Sequence, residues 1–167
     1  LITLFYIWKW VPSLPALPDT GLKGQFRFLK NLAPWLLIFT TMFGNGGIFC
    51  WYSYVTPLMT HVAGFSENSM TFIMVLAGLS MTVGNLMGGK LSDQYGAARV
   101  VKYTQIIMAS GLLAIFFAAS ISWLAVILMC VCTAGLFAVS APQQLLLLQN
   151  SRGGEMMGAA CVQVAFN

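Results

Sequence analysis

Four runs, at about 33–60, 69–89, 100–120 and 123–148, are built almost wholly of large apolar and small residues. Each is about as long as the 20 mostly apolar residues that a helix needs to cross a bilayer core. In hydrocarbon every backbone N–H and C=O must be paired within the chain, and a continuous run achieves this as a helix. Charge is confined to the breaks between runs. Lys90, Asp93 and Arg99 crowd into residues 88–99 of a chain that is 59% hydrophobic and only 7% charged. A soluble domain averages about 25% charged residues. The expected fold class is all-α, a polytopic membrane protein.

The first residues, 1–11, read as the end of a further spanning helix, with Trp8 and Trp10 at headgroup level and Lys9 on the water side. Pro12, Pro15 and Pro18 open a linker over 12–31, because proline cannot continue a helix. The linker closes with Phe26-Arg27-Phe28-Leu29-Lys30, an alternation of apolar and basic residues suited to an anionic membrane surface. Asn31 is a candidate N-cap and Pro34 fits a first helical turn. Residues 32–167 then form the main body. Gly44-Asn45-Gly46-Gly47 and Pro57 interrupt its first run, and Pro142 interrupts the fourth. Ser80, Gly84 and Gly88 recur every four residues, a small-residue stripe that lets helices approach closely. Residues 155–167 begin another span. The chain starts and stops inside apolar runs, so it reads as a fragment.

Crossing the membrane at each run places all 8 Lys and Arg on one side. The excess of basic residues in cytoplasmic loops makes that side the cytoplasm, and puts 12–31, 90–99 and 149–155 there. The basic residues mark topology rather than nucleic-acid binding, which would need them clustered with aromatic platforms on a soluble face. Cys50, Cys130, Cys132 and Cys161 lie in apolar stretches without a CxxC pair, and His61 is the single histidine. They read as small hydrophobes, with no metal site and no cofactor. No Ser/His/Asp set or phosphate-cradling loop is present, so an enzyme is not expected.

Gly89-x-Leu91-Ser92-Asp93-x-x-Gly96, with Arg99 beyond, resembles the loop motif G-x-L-(A/S)-D-(R/K)-x-G-(R/K)-(R/K) of the major facilitator superfamily. Gln94, Ala97 and Ala98 stand where that motif is usually basic. The family carries a weaker copy of the motif in its second half, so the resemblance implies a C-terminal-half fragment of a twelve-helix fold, from the end of helix six to the start of helix eleven. Residues 35–67 and 135–167 are similar to the arabinose-efflux-permease-like branch, whose members are described as sugar-efflux or drug–proton antiporters. The resemblance implies a secondary transporter in a bacterial inner membrane, exporting a small solute. Its partners would be that solute, membrane lipid and the missing N-terminal half of the same chain.

On this basis Gly89, Leu91, Asp93, Gly96 and Arg99 are the conformational loop motif, with Asp93 capping a helix across the half interface in one state. The alternative for Asp93 is a solvated acid beside Lys90. Thr41, Asn45 and Tyr52 share one helical face, as do Thr133, Ser140 and Gln144, with Gln163 on the last helix. These polar residues either line a central cavity or join helices by hydrogen bonds. Gly44, Gly46, Gly47 and Pro142 are candidate hinges, or else close-packing points. No Asp, Glu, Lys or Arg falls near the middle of a run, so any proton-carrying carboxylate is expected in the other half. Two further readings stand beside transport: a truncated remnant or membrane interaction subunit, and a receptor that binds without flux.

Overall fold

A computed structural model describes Thr3, Lys9, Trp10 and residues 21–166. The helix end expected over 1–11 and the linker through residue 20 otherwise lie outside the described residues. Five longer helices follow: α1 (Leu32–Ser53), α2 (Glu67–Tyr95), α3 (Ala97–Ala118), α4 (Ser122–Asn150) and α5 (Glu155–Phe166). The first four are long and apolar enough to span a membrane, whereas α5 has 12 residues. There is no strand among the described residues.

Local chemistry sets the helix ends. Asn31 occupies the N-cap position of α1 in extended backbone, but its side chain makes no capping bond. The entry is fixed instead by Trp35, whose indole N–H donates to the Leu29 carbonyl at 2.7 Å. α1 runs unbroken through Gly44–Gly47 and stops at Ser53. Glycine weakens a helix by roughly 0.5–1 kcal/mol but keeps its N–H, whereas proline removes a donor and crowds the carbonyl four residues earlier. For Pro57 that carbonyl belongs to Ser53. The apolar run continues as a short turn (Val55–Pro57) and a π-helical turn (Leu58–Val62).

α2 also overruns its expected end. Residues 90–95, read as a charged turn, form its last turns, and the chain leaves the helix only at Gly96 (φ +89°). Charge alone does not end a helix; the first residue able to adopt that backbone conformation does. Pro142 likewise does not break α4, which continues to Asn150.

The centre of the bundle is α4, the most buried span. Gly84 and Gly88 of α2 lie directly on the backbone of Ala134 and Ala138, so closely that a Cβ on either glycine would collide with those carbonyl groups. Pro142 has no N–H for the Ala138 carbonyl, and that freed oxygen is the one Gly88 faces. The small-residue stripe and the proline thus complete each other: the close glycine backbone covers an acceptor that hydrocarbon would leave unpaired. On another side, Met108 of α3 packs over Gly135 and Cys132 of α4 over Gly111. Lipid gives helices no hydrophobic reason to associate, so contacts this close supply the binding through dispersion. Large side chains such as Phe72, Leu79, Leu86, Phe116 and Phe117 are exposed on the outside, where acyl chains meet them.

One end of the bundle gathers the basic residues. Arg27 and Lys30 precede α1, Lys90 and Arg99 flank the α2–α3 corner, and Arg152 lies in the α4–α5 turn. Phe28 is buried and abuts Gly154, joining the segment before α1 to that turn. Glu155 closes the turn by accepting the Gly153 N–H at 2.9 Å, which lowers its carboxyl pKa.

Candidate functional site

At the α2–α3 corner, Asp93 is exposed three residues before the cap of α2 and pairs with no cation among the described residues. A carboxylate there faces the negative end of the helix dipole, an arrangement worth about 0.3–1 kcal/mol in the unfavourable direction. Lys90, one turn earlier, does not bridge to it. Leu91 is half-buried, Gly89 has open space where a Cβ would be, and Arg99 is exposed in the first turn of α3. Among the described residues, the corner therefore presents an anion and a cation that form no ion pair, at the end of the bundle.

The polar residues inside the spans divide into two groups. Thr41 is buried and donates to the Leu37 carbonyl at 2.8 Å, while Thr133 donates to Met129 and Cys130 carbonyls at 2.9 and 3.1 Å. Both hydroxyls are satisfied within their own helix and present no free group. Tyr52 is half-buried with its hydroxyl 3.9 Å from the Met74 sulfur. Ser140 and Gln144 are half-buried and Gln163 is exposed.

Asn45 differs. It is fully buried, and its Nδ2 donates to Oε1 of Gln143 at 2.9 Å, linking α1 to α4. Asn45 Oδ1 and Gln143 Nε2 remain unpaired, as does Nε2 of Gln105, whose amide packs onto the Cα of Gly44. Amides from three helices thus lie near residues 44 and 45 of α1, two of them bonded to each other. Gly44 is a packing point in this arrangement, whereas Gly46 and Gly47 have open space around them. Gly46 lines a groove of about 410 Å³ between α1 and α5, with Met42, Phe49, Cys50 and Val164. Cys50 is exposed rather than buried, because this face of α1 meets the groove instead of the core.

Counting polar residues against one another points to Gln144 and passes over Gln143 and Gln105. The pattern that finds them is apolar. Gln143 continues the buried stripe Met129, Cys132, Leu136, Val139, Leu147, and Gln105 sits between Val101 and Met108 in the buried stripe of α3. No group of three metal-ligating side chains occurs among the described residues.

Comparison with known proteins agrees with this architecture. The chain is 47% identical over 161 residues to AraJ of Escherichia coli (strain K12), covering 96% of this chain and 41% of that protein. It is 32% identical over 100 residues to the MFS-type transporter YtbD of Bacillus subtilis (strain 168), covering 60% of this chain and 25% of YtbD. It is 29% identical over 158 residues to the inner membrane transport protein YdhP of Escherichia coli (strain K12), covering 91% of this chain and 40% of YdhP. The chain therefore spans about two-fifths of AraJ and YdhP. No solved structure matches it. The match to the family reaches across residues 1–164, through every described span, and the chain belongs to the Major Facilitator Superfamily.

Proposed function

We propose that this chain forms the second half of a secondary transporter that exports a small uncharged solute, sugar-like or drug-like, by alternating access. In this reading the protein sits in a bacterial inner membrane with 12–31, 90–99 and 149–155 on the cytoplasmic side. Family membership supports transport across a membrane. The observation that carries the finer reading is Asp93, an unpaired carboxylate held at the unfavourable end of α2 beside the basic end of the bundle. A group kept there at an energetic cost gains its partner in another state, at a helix N-terminus of the other half, and so biases the equilibrium between states. Arg99, Gly96, Leu91 and Gly89 shape the corner that presents it. The amides of Asn45 and Gln143 supply neutral hydrogen-bonding groups without a full charge, which suits an uncharged solute. Gln144, Ser140, Tyr52 and Gln163 flank that level.

The test is flux in proteoliposomes made with the product of the whole reading frame. Asp93→Asn should lower initial export about two- to fivefold, the range that a dipole contact of about 0.3–1 kcal/mol covers, at unchanged protein level. Equal flux in the variant would remove the role given to Asp93. Absence of flux from correctly inserted wild-type protein, over a panel of sugars and apolar drugs, would return the chain to the interaction-subunit reading.

A further inference from the structure

The segment before α1 holds two helices at once. Gly21–Gln25 form a short helix, and Arg27–Lys30 a 3-10 turn that passes through Asn31 into α1. Phe28 is the buried residue of that turn, at 2% exposure, while Phe26, Arg27 and Lys30 are exposed. Its ring lies on Gly154, in the turn that opens α5. A Cβ on Gly154 would collide with the Gln25 carbonyl oxygen and with that ring. The bare backbone of Gly154 is therefore the seat into which the segment fits.

A hydrogen bond adds to that seat. The Gly158 N–H donates to the Gly154 carbonyl at 2.8 Å, the first bond along α5. Gly154 has no side chain to cap the N–H groups before it. Gln25 supplies an acceptor from 132 positions away: the Met157 N–H donates to its Oε1 in a long bond of 3.5 Å. The same segment is fastened to α1. The Trp35 indole N–H donates to the Leu29 carbonyl at 2.7 Å, and the Asn31 N–H to the Phe28 carbonyl at 3.1 Å. Gln25 and Phe28 thus hold the start of α5, and Leu29, next in sequence, holds the first turn of α1. Arg27 and Lys30 stay exposed, so an aromatic side chain and neutral hydrogen bonds make the hold.

We propose that residues 25–31 are a strap that couples α1 to α5, so that the two helices shift together at the basic end of the bundle. Further along, the pair is open: the groove of about 410 Å³ lies between Gly46 and Cys50 of α1 and Val164 and Phe166 of α5. The strap closes the near end. A displacement of the chain before residue 25 reaches α5 through Gln25 and Phe28 as directly as it reaches α1 through Leu29. Coupling of this kind is reciprocal: loosening either helix loosens the other by the same free energy. It is a property of the fold and stands whether or not the protein exports a solute. On the alternating-access reading it adds α5 to the element that moves.

Hydrogen exchange of the product of the whole reading frame in nanodiscs tests it, read at residues 35–40 of α1 and 158–163 of α5, with 92–100 as reference. Phe28→Ala empties the seat on Gly154 and should speed exchange about tenfold or more in both helices. Trp35→Phe removes one N–H at the α1 end and should speed exchange about threefold, in α5 as well as in α1. Gln25→Ala acts from the α5 end and should reach 35–40 to a similar extent, about threefold. If Phe28→Ala does not fold, the other two variants carry the test, since each removes one hydrogen bond. No change, or a change confined to the helix that the substituted residue holds, would overturn the proposal, because the helices would then be fastened independently. An equal rise at 92–100 would also overturn it, as general loosening. Salt at about 0.5 M screens exposed charge and should leave wild-type exchange unchanged. Loss of protection in both helices there would assign the hold to Arg27 and Lys30 and overturn the strap.

Discussion

The two sides of α4 are held by opposite means. Toward α2, Gly84 and Gly88 rest on the backbone of Ala134 and Ala138 with no side chain between them. Toward α1, the polar link among the described residues is one side-chain hydrogen bond, Asn45 to Gln143. The first seam is fixed by shape. Any slide would drive a glycine Cα into a neighbouring carbonyl. The second seam combines apolar packing, Ile48 lying in one buried cluster with Cys132, Leu136 and Val139, with one bond between amides that retain unused valences and can re-pair. On the proposed alternating-access reading, a rigid pair and an adjustable helix would have different uses: α2 and α4 would form the frame, and α1 would be the element that shifts against it.

The largest effect should come from breaking the rigid side. Gly88→Val or Gly84→Val places a branched side chain into backbone that cannot yield. Overpacking normally costs about 1–3 kcal/mol when neighbouring side chains adjust, and here the obstacle is main chain, so the loss should reach or exceed about 3 kcal/mol. Thermal unfolding in detergent should show little folded Gly88→Val protein. A variant that melts like wild type would mean that the seam opens readily, and the division into frame and moving part would fail.

Next comes the adjustable side. Asn45→Ala strands Gln143 in the interior, at about 1–3 kcal/mol for an unmade buried bond. The coupling between the two should be smaller, near the roughly 0.6 kcal/mol average for interhelical pairs in membranes. A double-mutant cycle of Asn45→Ala and Gln143→Ala, read by unfolding, measures it. A coupling above about 2 kcal/mol would make this bond as firm as the glycine seam. In flux assays both variants should change apparent affinity for the solute. Gln144→Ala should have a weaker effect, since Gln144 is half-buried whereas Asn45 and Gln143 are buried and bonded to each other.

The difference between the seams also explains which parts of the structure were legible in the sequence. Gly84 and Gly88 repeat every four residues on one helix, so close approach can be read from a single span. The partners of Asn45 require two helices at known depth. Gln143 and Gln144 are adjacent, and a displacement of one residue turns the side chain by about 100°. The apolar stripe on either side of Gln143 decides between them, and polar spacing does not. The α2–α3 corner misled for a different reason. Three charged residues within ten suggest a turn, but backbone geometry ends a helix, and Gly96 is where that geometry changes.

Gly96 itself predicts a smaller effect at the edge of the frame. Its φ of +89° and ψ of 140° suit glycine, and an L-residue held in such a region costs about 1–3 kcal/mol. Nothing lies within 4 Å of an added Cβ, so Gly96→Ala should fall near the low end of that range, from backbone strain alone. The change should loosen the α2–α3 corner without touching the glycine seam. Faster hydrogen exchange confined to the amides of residues 92–100 is the expected result. Exchange spreading into 134–138 would mean that the corner and the seam are one unit.

The smallest effect separates packing from movement in α1. Gly46 and Gly47 are helical and have room for a methyl group, so Gly46→Ala and Gly47→Ala should each stabilise the protein by about 0.5–1 kcal/mol through helix propensity. Gly44→Ala is the internal control, because its Cβ would meet the Gln105 amide at 2.6 Å and gain nothing. If α1 bends during transport, the two stabilised variants should export more slowly than wild type despite their higher melting temperature, since a stiffer helix resists the second state. Faster or equal export from a stabilised protein would show that α1 moves as a rigid rod. The adjustable seam would then lie entirely in the Asn45–Gln143 contact, and the open space at Gly46 and Gly47 would be room for lipid or for a neighbouring helix.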